Sequence, residues 1–322
     1  AEGAPADASR YNNLFWGPAQ GTGGSTAIAN SYEQLRNAGA AARQMLVAAA
    51  AELWQVPAQE IQVRDGVLSH GSGRRATFGE LAEVAARQPV PAEVQLKDPA
   101  AFRLIGNAAI RRKDSAGKID GSAVFTQDVR LPGMLTALVL HPPRFGARVK
   151  SFDPAPAKAV PGVAQVVQIP GGIAVLGRDF WSAKLGRDAL TQTVVWDETD
   201  AFRLGSDEIL AQYRALADGP GVVAHRDGDA QPALAGAAQL IEAEYSVPYL
   251  AHAAMEPIDC VIAPDGSGVR VINGEQFQTA DQAAVAKVLG LQPGQVRIDM
   301  LYAGGSFGRR ANPHSDFVIE AA

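Results

Sequence analysis

The stretch Val296-Arg297-Ile298-Asp299-Met300-Leu301-Tyr302-Ala303-Gly304-Gly305-Ser306-Phe307-Gly308-Arg309-Arg310 runs a β-rich segment into a glycine loop that ends in two arginines. Val296 to Leu301 predicts a strand. The glycines after it permit positive φ and close approach of a ligand to the backbone. Successive N–H groups in such a loop can form an anion-binding nest. A neighbouring guanidinium can hold a phosphate through two parallel hydrogen bonds. The loop lacks the Gly-Lys-Ser/Thr of a P-loop and the GxGxxG spacing of a dinucleotide fingerprint. Local pattern alone fits a surface turn with solvated arginines equally well.

Upstream of this stretch, Thr279 to Leu289 predicts a helix, with Gln282 closing a capping box and Gly290 stopping it. Strands are expected near Cys260–Ile262 and Val269–Ile272, another over Leu240–Val247, and a helix over Asp207–Leu216. Residues 105–200 carry short β-rich runs (Leu135–Leu140, Val163–Ile169, Ile173–Leu176, Thr193–Trp196) and a helical stretch from Asp179 to Leu190. Pro89, Pro91 and Pro99 mark a linker before them. Earlier still, Asp65-Gly66 between Ile61–Val63 and Val67–Ser69 signals a hairpin, and Thr77 with Glu80 caps a helix through Ala86. A long Ala-rich helix is expected from a Ser31/Gln34 capping box, with Leu35, Ala38, Ala42, Met45, Leu46, Ala49 and Leu53 on one face until Pro57 ends it. Residues 1–30 read as loops. The whole reads as α+β, with boundaries at 1–104, 105–200 and 201–322.

The 322 residues carry a net charge of −5, which argues against a nucleic-acid surface, although Arg111-Arg112-Lys113 and Arg309-Arg310 are local basic patches. The single cysteine, Cys260, rules out an intrachain disulfide and a cysteine-held iron–sulfur or zinc cluster within the chain. It reads as a small buried hydrophobe. No apolar run reaches the ~20 residues of a membrane-spanning helix. There is no basic–apolar–small leader at Ala1, and Asp316 to Ala322 reads as a helix cut off in mid-run, so a longer natural chain is expected. His252 and Glu256 stand four apart like a ligand pair on a helix, but Pro248 and Pro257 bracket them and no cluster supports a metal. Trp54, Trp181 and Trp196 read as core residues.

The loop Gly304-Gly305-Ser306-Phe307-Gly308-Arg309-Arg310 resembles a Gly-Gly-Gly-Phe-Gly-Arg-Arg motif of the xanthine oxidase / aldehyde oxidase family of molybdenum hydroxylases. The motif is that of the branch typified by the β-subunit of isoquinoline 1-oxidoreductase. Ser306 departs from it, standing where the motif has a third glycine. Tyr249-Leu250-Ala251-His252-Ala253-Ala254-Met255-Glu256-Pro257 resembles a second motif of that branch. Pro161-Gly162-Val163 and Leu131-Pro132-Gly133-Met134-Leu135 resemble its a/b hammerhead domain, and Thr22-Gly23-Gly24-Ser25-Thr26 resembles another cofactor-loop region.

The resemblance implies a hammerhead-like domain flanked by segments of a molybdopterin-binding α+β domain. It implies cofactor contacts at Gly23, Gly24, Ser25, Thr26, Gly304, Gly305, Ser306, Phe307, Gly308, Arg309 and Arg310. Gln276, in Asn273-Gly274-Glu275-Gln276-Phe277-Gln278, takes the position of a glutamine near the metal's oxo ligand, although Glu275 replaces the usual threonine before it. A glutamine amide can donate there without adding charge. The implied cofactor is molybdopterin cytosine dinucleotide, its metal held by the pterin rather than by side chains. The implied reaction is hydroxylation of an aldehyde or N-heteroaromatic carbon with water as oxygen source. The implied partners are a small [2Fe–2S] subunit, a cytochrome c subunit and the remainder of the large subunit. The periplasm or its membrane face is preferred to the cytoplasm. The glutamate base expected in a Gly-x-Gly-Glu context is not found, so it is expected beyond Ala322, and the chain alone is expected to be inactive. A nucleotide- or phosphate-binding module and a non-catalytic assembly domain stay open as alternatives.

Overall fold

The order of elements follows from where glycine, proline and β-branched residues fall. The computed structural model describes residues 12–13 and 17–322, so the first part of the loop region expected over residues 1–30 lies largely outside the described residues. The chain divides into two compact units, one built from residues 1–128 and 258–320, the other from residues 129–257. The sequence boundaries at 104/105 and 200/201 mark changes of composition, whereas the compact units divide at 128/129 and 257/258.

The first unit opens with helix α1 (Ala27–Trp54), one turn earlier than the sequence predicts. Ser31 caps nothing: its Oγ donates back to the Ala27 carbonyl at 2.8 Å inside the helix. The carboxyl-terminal half of α1 packs into a hydrophobic core, whereas the amino-terminal half is tied down by polar contacts such as Arg36 to the Lys97 carbonyl at 2.8 Å. In that core Ala50 joins Ile61, Leu68 and Leu81, with Leu46 and Trp54 packed against them. Leu35 and Leu53, expected on the buried face, are exposed: Leu35 lies in the half of the helix outside the core, and at the carboxyl end the helix turns Ala50 and Trp54 inward instead of Leu53. The elements that α1 packs on are the antiparallel sheet of β1 (Gln62–Arg64), β2 (Val67–Ser69) and β3 (Arg75–Thr77), with helix α2 (Phe78–Ala85). Asp65 and Gly66 both take positive φ, as a two-residue turn of the expected type requires. The Thr77/Glu80 capping box forms as expected. A short helix α3 (Ser115–Asp120) follows the proline-marked linker.

The second unit holds two antiparallel sheets. One runs β4 (Thr136–Leu140), β7 (Gly172–Gly177), β6 (Val163–Ile169); the other pairs β5 (Arg148–Ser151) with β8 (Val195–Asp197). Helix α4 (Ala155–Lys158) stands between β5 and β6 in the chain, and helix α5 (Phe180–Leu190) between β7 and β8. Ala157, Ile173, Val175 and Leu190 form its core. Asp179 caps α5 through the Ser182 N–H at 2.7 Å. Trp181 on that helix is 62% exposed, against the expectation of a core residue: the helix turns Ser182, Ala183, Gly186 and Leu190 inward instead. Trp54 and Trp196 are half-buried. Helices α6 (Ser206–Ala217) and α7 (Ala230–Ala235) follow. The strand expected over Leu240–Val247 does not form, since no neighbouring strand pairs with this segment.

The chain then returns to the first unit. Strands β9 (Val261–Asp265) and β10 (Gly268–Asn273) pair antiparallel, helix α8 (Gln278–Leu289) crosses over, and β11 (Val296–Met300) lies parallel to β10. Val271, Val285, Ala286 and Val296 seal α8 onto this sheet together with Val318 of helix α9 (Asp316–Ala321). The capping box expected at Thr279 is not made. Thr279 Oγ1 accepts from the Gln20 N–H at 2.8 Å, and Gln282 donates to the Val296 carbonyl at 2.9 Å. Gly290 ends α8 in the left-handed conformation, as expected. The architecture is α+β.

Candidate functional site

Strands β10 and β11 are adjacent and parallel, so their carboxyl ends emerge on the same edge of the sheet. In open α/β arrangements that edge is where ligands bind, because loops there are free to specialise. β10 runs into Gly274-Glu275-Gln276, and β11 runs into the loop that ends at Arg310. The two loops touch. A Cβ on Gly274 would lie 2.8 Å from Ala303 Cα and 3.0 Å from the Tyr302 carbonyl, so only glycine permits this approach.

Side chains then tie the loops together. Ser306 Oγ donates to Gln276 Oε1, and it accepts from the Arg310 N–H at 3.1 Å. The Gln276 amide donates to the Thr22 carbonyl at 3.0 Å, and the Thr22 N–H donates to the Gln276 carbonyl at 2.7 Å. Three segments singled out in the sequence thus meet: the stretch before α1, the β10 end and the glycine loop. In the first of these, the Thr26 hydroxyl donates to the Gly23 carbonyl at 2.8 Å, and Gly24 and Ser25 hold positive φ. Thr26 therefore closes its own turn and does not cap α1.

The two arginines are used differently from a phosphate clamp. Arg310 is fully buried, donating to the Gly305 carbonyl and to the Gly274 carbonyl, each at 3.0 Å, with Asp259 at 3.9 Å. It buttresses both loops from behind. Arg309 makes two hydrogen bonds to Asp316, at 3.0 and 2.7 Å, across the start of α9. Outward of them stand Gly305 and Gly308, with φ of +109° and +91°, and Phe307 between them at +54°. A phenylalanine in that region is strained. Its ring is 76% exposed, so no core contact accounts for the conformation.

Thr126 and Tyr302 carry no signal of their own in the sequence, yet they belong here. Thr126 Oγ1 accepts from the Gly274 N–H at 3.1 Å, Phe125 bridges to Tyr302, and Lys118 lies 4.4 Å over the Tyr302 ring. Behind the loops, burial pushes the Glu275 carboxyl up to about 8, with Asp281 adding to the effect and Asn273 opposing it. Burial also raises Asp281 to about 6; Ser315 opposes and Asp316 adds. The Cys260 thiol is driven up by burial and by Glu275, Asp259 and Asp281, so it is an inert packing group. His252 is exposed on an irregular segment, so its spacing from Glu256 does not define a helix face. Among the described residues no group of three His, Cys, Asp or Glu side chains could hold a metal ion.

The arrangement offers an exposed glycine-loop backbone, an uncharged amide fixed at a strand end and an exposed aromatic ring. It suits a large polar ligand with a flat, reactive end. These backbone and amide donors fit a cofactor held through its own polar atoms.

Residues 216–322 match the family model described as "Molybdopterin cofactor-binding domain". The β-subunit of isoquinoline 1-oxidoreductase from Brevundimonas diminuta is 33% identical, over 97% of this chain and 45% of that protein. A membrane-bound aldehyde dehydrogenase of Gluconacetobacter polyoxogenes is 30% identical, over 94% of this chain and 40% of its own length. A nicotinate dehydrogenase polypeptide of Pseudomonas putida is 30% identical, over 91% of this chain and 25% of its own length. The chain thus spans less than half the length of these relatives. The fold is similar to that of quinoline 2-oxidoreductase from Pseudomonas putida 86, with a TM-score of 0.50 at 19% identity, over 65% of this chain and 32% of that one. By these matches, with the loop geometry described above, the chain belongs to the xanthine oxidase family of molybdenum hydroxylases.

Proposed function

We propose that this chain is the cofactor-binding part of a large subunit that oxidises an aldehyde or N-heteroaromatic carbon, taking oxygen from water, and that its cofactor is molybdopterin cytosine dinucleotide. One observation carries the reading: the Gln276 amide, the Gly304–Gly308 backbone and the segment at Thr22 converge at the carboxyl ends of two parallel strands. The names of the relatives support the substrate class, since isoquinoline, nicotinate and aldehydes all present an electron-poor carbon.

When bound, the molybdenum cofactor supplies the two-electron chemistry. Gln276 orients it with an uncharged donor. Gly304, Gly305, Ser306 and Gly308 let it approach the backbone, and the Phe307 ring forms an apolar wall beside a flat substrate. Residues 23–26 lie beside the same loops, through Thr22. Arg310 holds the loops rather than a phosphate, and Arg309 stays partly exposed beside Asp316. Electrons leave through a separate [2Fe–2S] subunit and onward to a cytochrome c, the base comes from the remainder of the large subunit, and the assembly works in the periplasm.

The test uses the complete large subunit co-produced with its small subunit. Molybdenum and cytidine nucleotide are measured per purified subunit, with circular dichroism as the folding control. Gly305 holds a φ of +109°, which valine resists. Gly305→Val is expected to lower both contents about tenfold or more while the spectrum stays unchanged. Full occupancy in folded Gly305→Val protein would overturn the assignment.

A further inference from the structure

We propose that Ser306, at the one place where the loop departs from an all-glycine start, is a positioning residue that fixes the orientation of the Gln276 amide. The proposal rests on the reading that these loops face the cofactor. A serine hydroxyl has one proton and two lone pairs. The Arg310 N–H occupies a lone pair at 3.1 Å, and the proton goes to Gln276 Oε1. At its other end the Gln276 amide donates one N–H to the Thr22 carbonyl at 3.0 Å. The oxygen and one N–H are thereby committed to the protein, which leaves the second N–H to a ligand.

Turning the amide over would set its oxygen against the Thr22 carbonyl, two acceptors facing each other. It would also strip the serine proton of its acceptor. With glycine or alanine at 306, only the Thr22 contact opposes that turn. Arg310 makes the arrangement stiff. The residue whose N–H orients the serine is itself buried and anchored to the Gly274 and Gly305 carbonyls, on the two loops that Ser306 and Gln276 belong to. The Ser306 φ is not among the positive ones, so the residue can be exchanged for threonine without backbone strain.

The first measurement is made on this chain, labelled with side-chain ¹⁵N-glutamine. The Gln276 amide pair is assigned by its loss in Gln276→Ala. In the wild type the two protons are expected well separated and slow to exchange. In Ser306→Ala they should move toward the values of free glutamine and exchange roughly two- to tenfold faster, the range of one neutral hydrogen bond. Ser306→Thr, which keeps the hydroxyl, should restore the wild-type pattern. Unchanged Gln276 signals in folded Ser306→Ala protein would overturn the proposal, and so would a threonine variant that behaves like alanine.

The second measurement is molybdenum retention on dialysis of the complete complex. Ser306→Ala should lose metal two- to tenfold faster than wild type, and Gln276→Ala/Ser306→Ala no faster than Gln276→Ala alone. If the amide signals respond to Ser306 while Gln276→Ala leaves molybdenum content and retention untouched, the cofactor reading fails and the positioning bond stands.

Discussion

Two adjacent arginines of one motif meet different fates, and burial decides which. Arg309 keeps a third of its side chain in water and pairs with an even more exposed Asp316. Such a pair contributes ~0–1 kcal/mol. Arg310 has no contact with water and bonds to two backbone carbonyls. Removing it takes the charged donor from both carbonyls and the opposite charge from beside Asp259. Hydrogen bonds to a charged group contribute ~1.5–3 kcal/mol each, and the missing opposite charge adds to the loss. Arg310→Ala is therefore expected to cost on the order of 3 kcal/mol or more in folding stability, and Arg309→Ala no more than ~1 kcal/mol. Urea titration of the two variants checks this; equal midpoints would show that Arg310 is not the buttress of the loops. The sequence exposes both arginines as a motif but not this division of labour. It depends on Gly274 and Asp259, which stand 36 and 51 residues before Arg310 in the chain.

Among the elements, the β10–α8–β11 crossover is the one that both makes the site and titrates. Its hydrophobic face buries Glu275 at the β10 end and Asp281 in the first turn of α8. Both carboxyls are raised, Glu275 to about 8 and Asp281 to about 6, from ordinary values of 4.5 and 3.8. The folded chain then keeps protons that the unfolded chain gives up. This contribution is fully present below about pH 4, and it is lost as pH rises through 6 and then 8. Stability is expected to be higher at pH 5.5 than at pH 8.5 by a few kcal/mol, with Glu275 the larger share, since each pH interval of one between the two states corresponds to ~1.4 kcal/mol. Urea midpoints at the two pH values, for wild type and Glu275→Gln, decide it. The wild-type midpoint should drop and the variant's drop should be smaller; a midpoint that rises with pH would refute the protonated pair. The strands and helix of this crossover were legible from apolar periodicity and from Gly290, because local pattern specifies them. The failed capping box was not. Thr279 is recruited by Gln20, far away in sequence, and Gln282 by β11. Long-range partners of that kind override a local motif.

At the scale of the whole molecule, the strand–glycine-loop motif, the hairpin and the α+β class could be read in advance, and the contacts between distant segments could not. Thr22, Gln276 and Ser306 are spread over nearly the full chain, and only the fold brings them together. The clearest departure from expectation is the strand expected over Leu240–Val247. Leu240 to Val247 has the composition of a strand, but a strand needs a neighbour to take its backbone hydrogen bonds. The structure gives it none. Instead Ile241, Tyr245, Val247, Tyr249, Leu250 and Met255 are all exposed, each by more than four-fifths. Exposed apolar area costs roughly 25 cal/mol per Å² relative to burial, and a contiguous run of it marks a surface meant to be covered. This run holds the motif Tyr249–Pro257 and lies within the stretch matched to the cofactor-binding family model. The chain by itself is therefore expected to be cut first between residues 218 and 255 by a protease of broad specificity, with the cores of both units surviving as larger fragments. In the complete large subunit the same bonds should resist cleavage at least tenfold longer, because cleavage tracks the opened population and covering these side chains lowers it. Mass spectrometry of the early fragments locates the cuts. First cleavage within α1 or the β10–α8–β11 crossover, or equal lability of residues 218–255 in the chain and in the full-length protein, would show that this segment's exposure has no bearing on assembly.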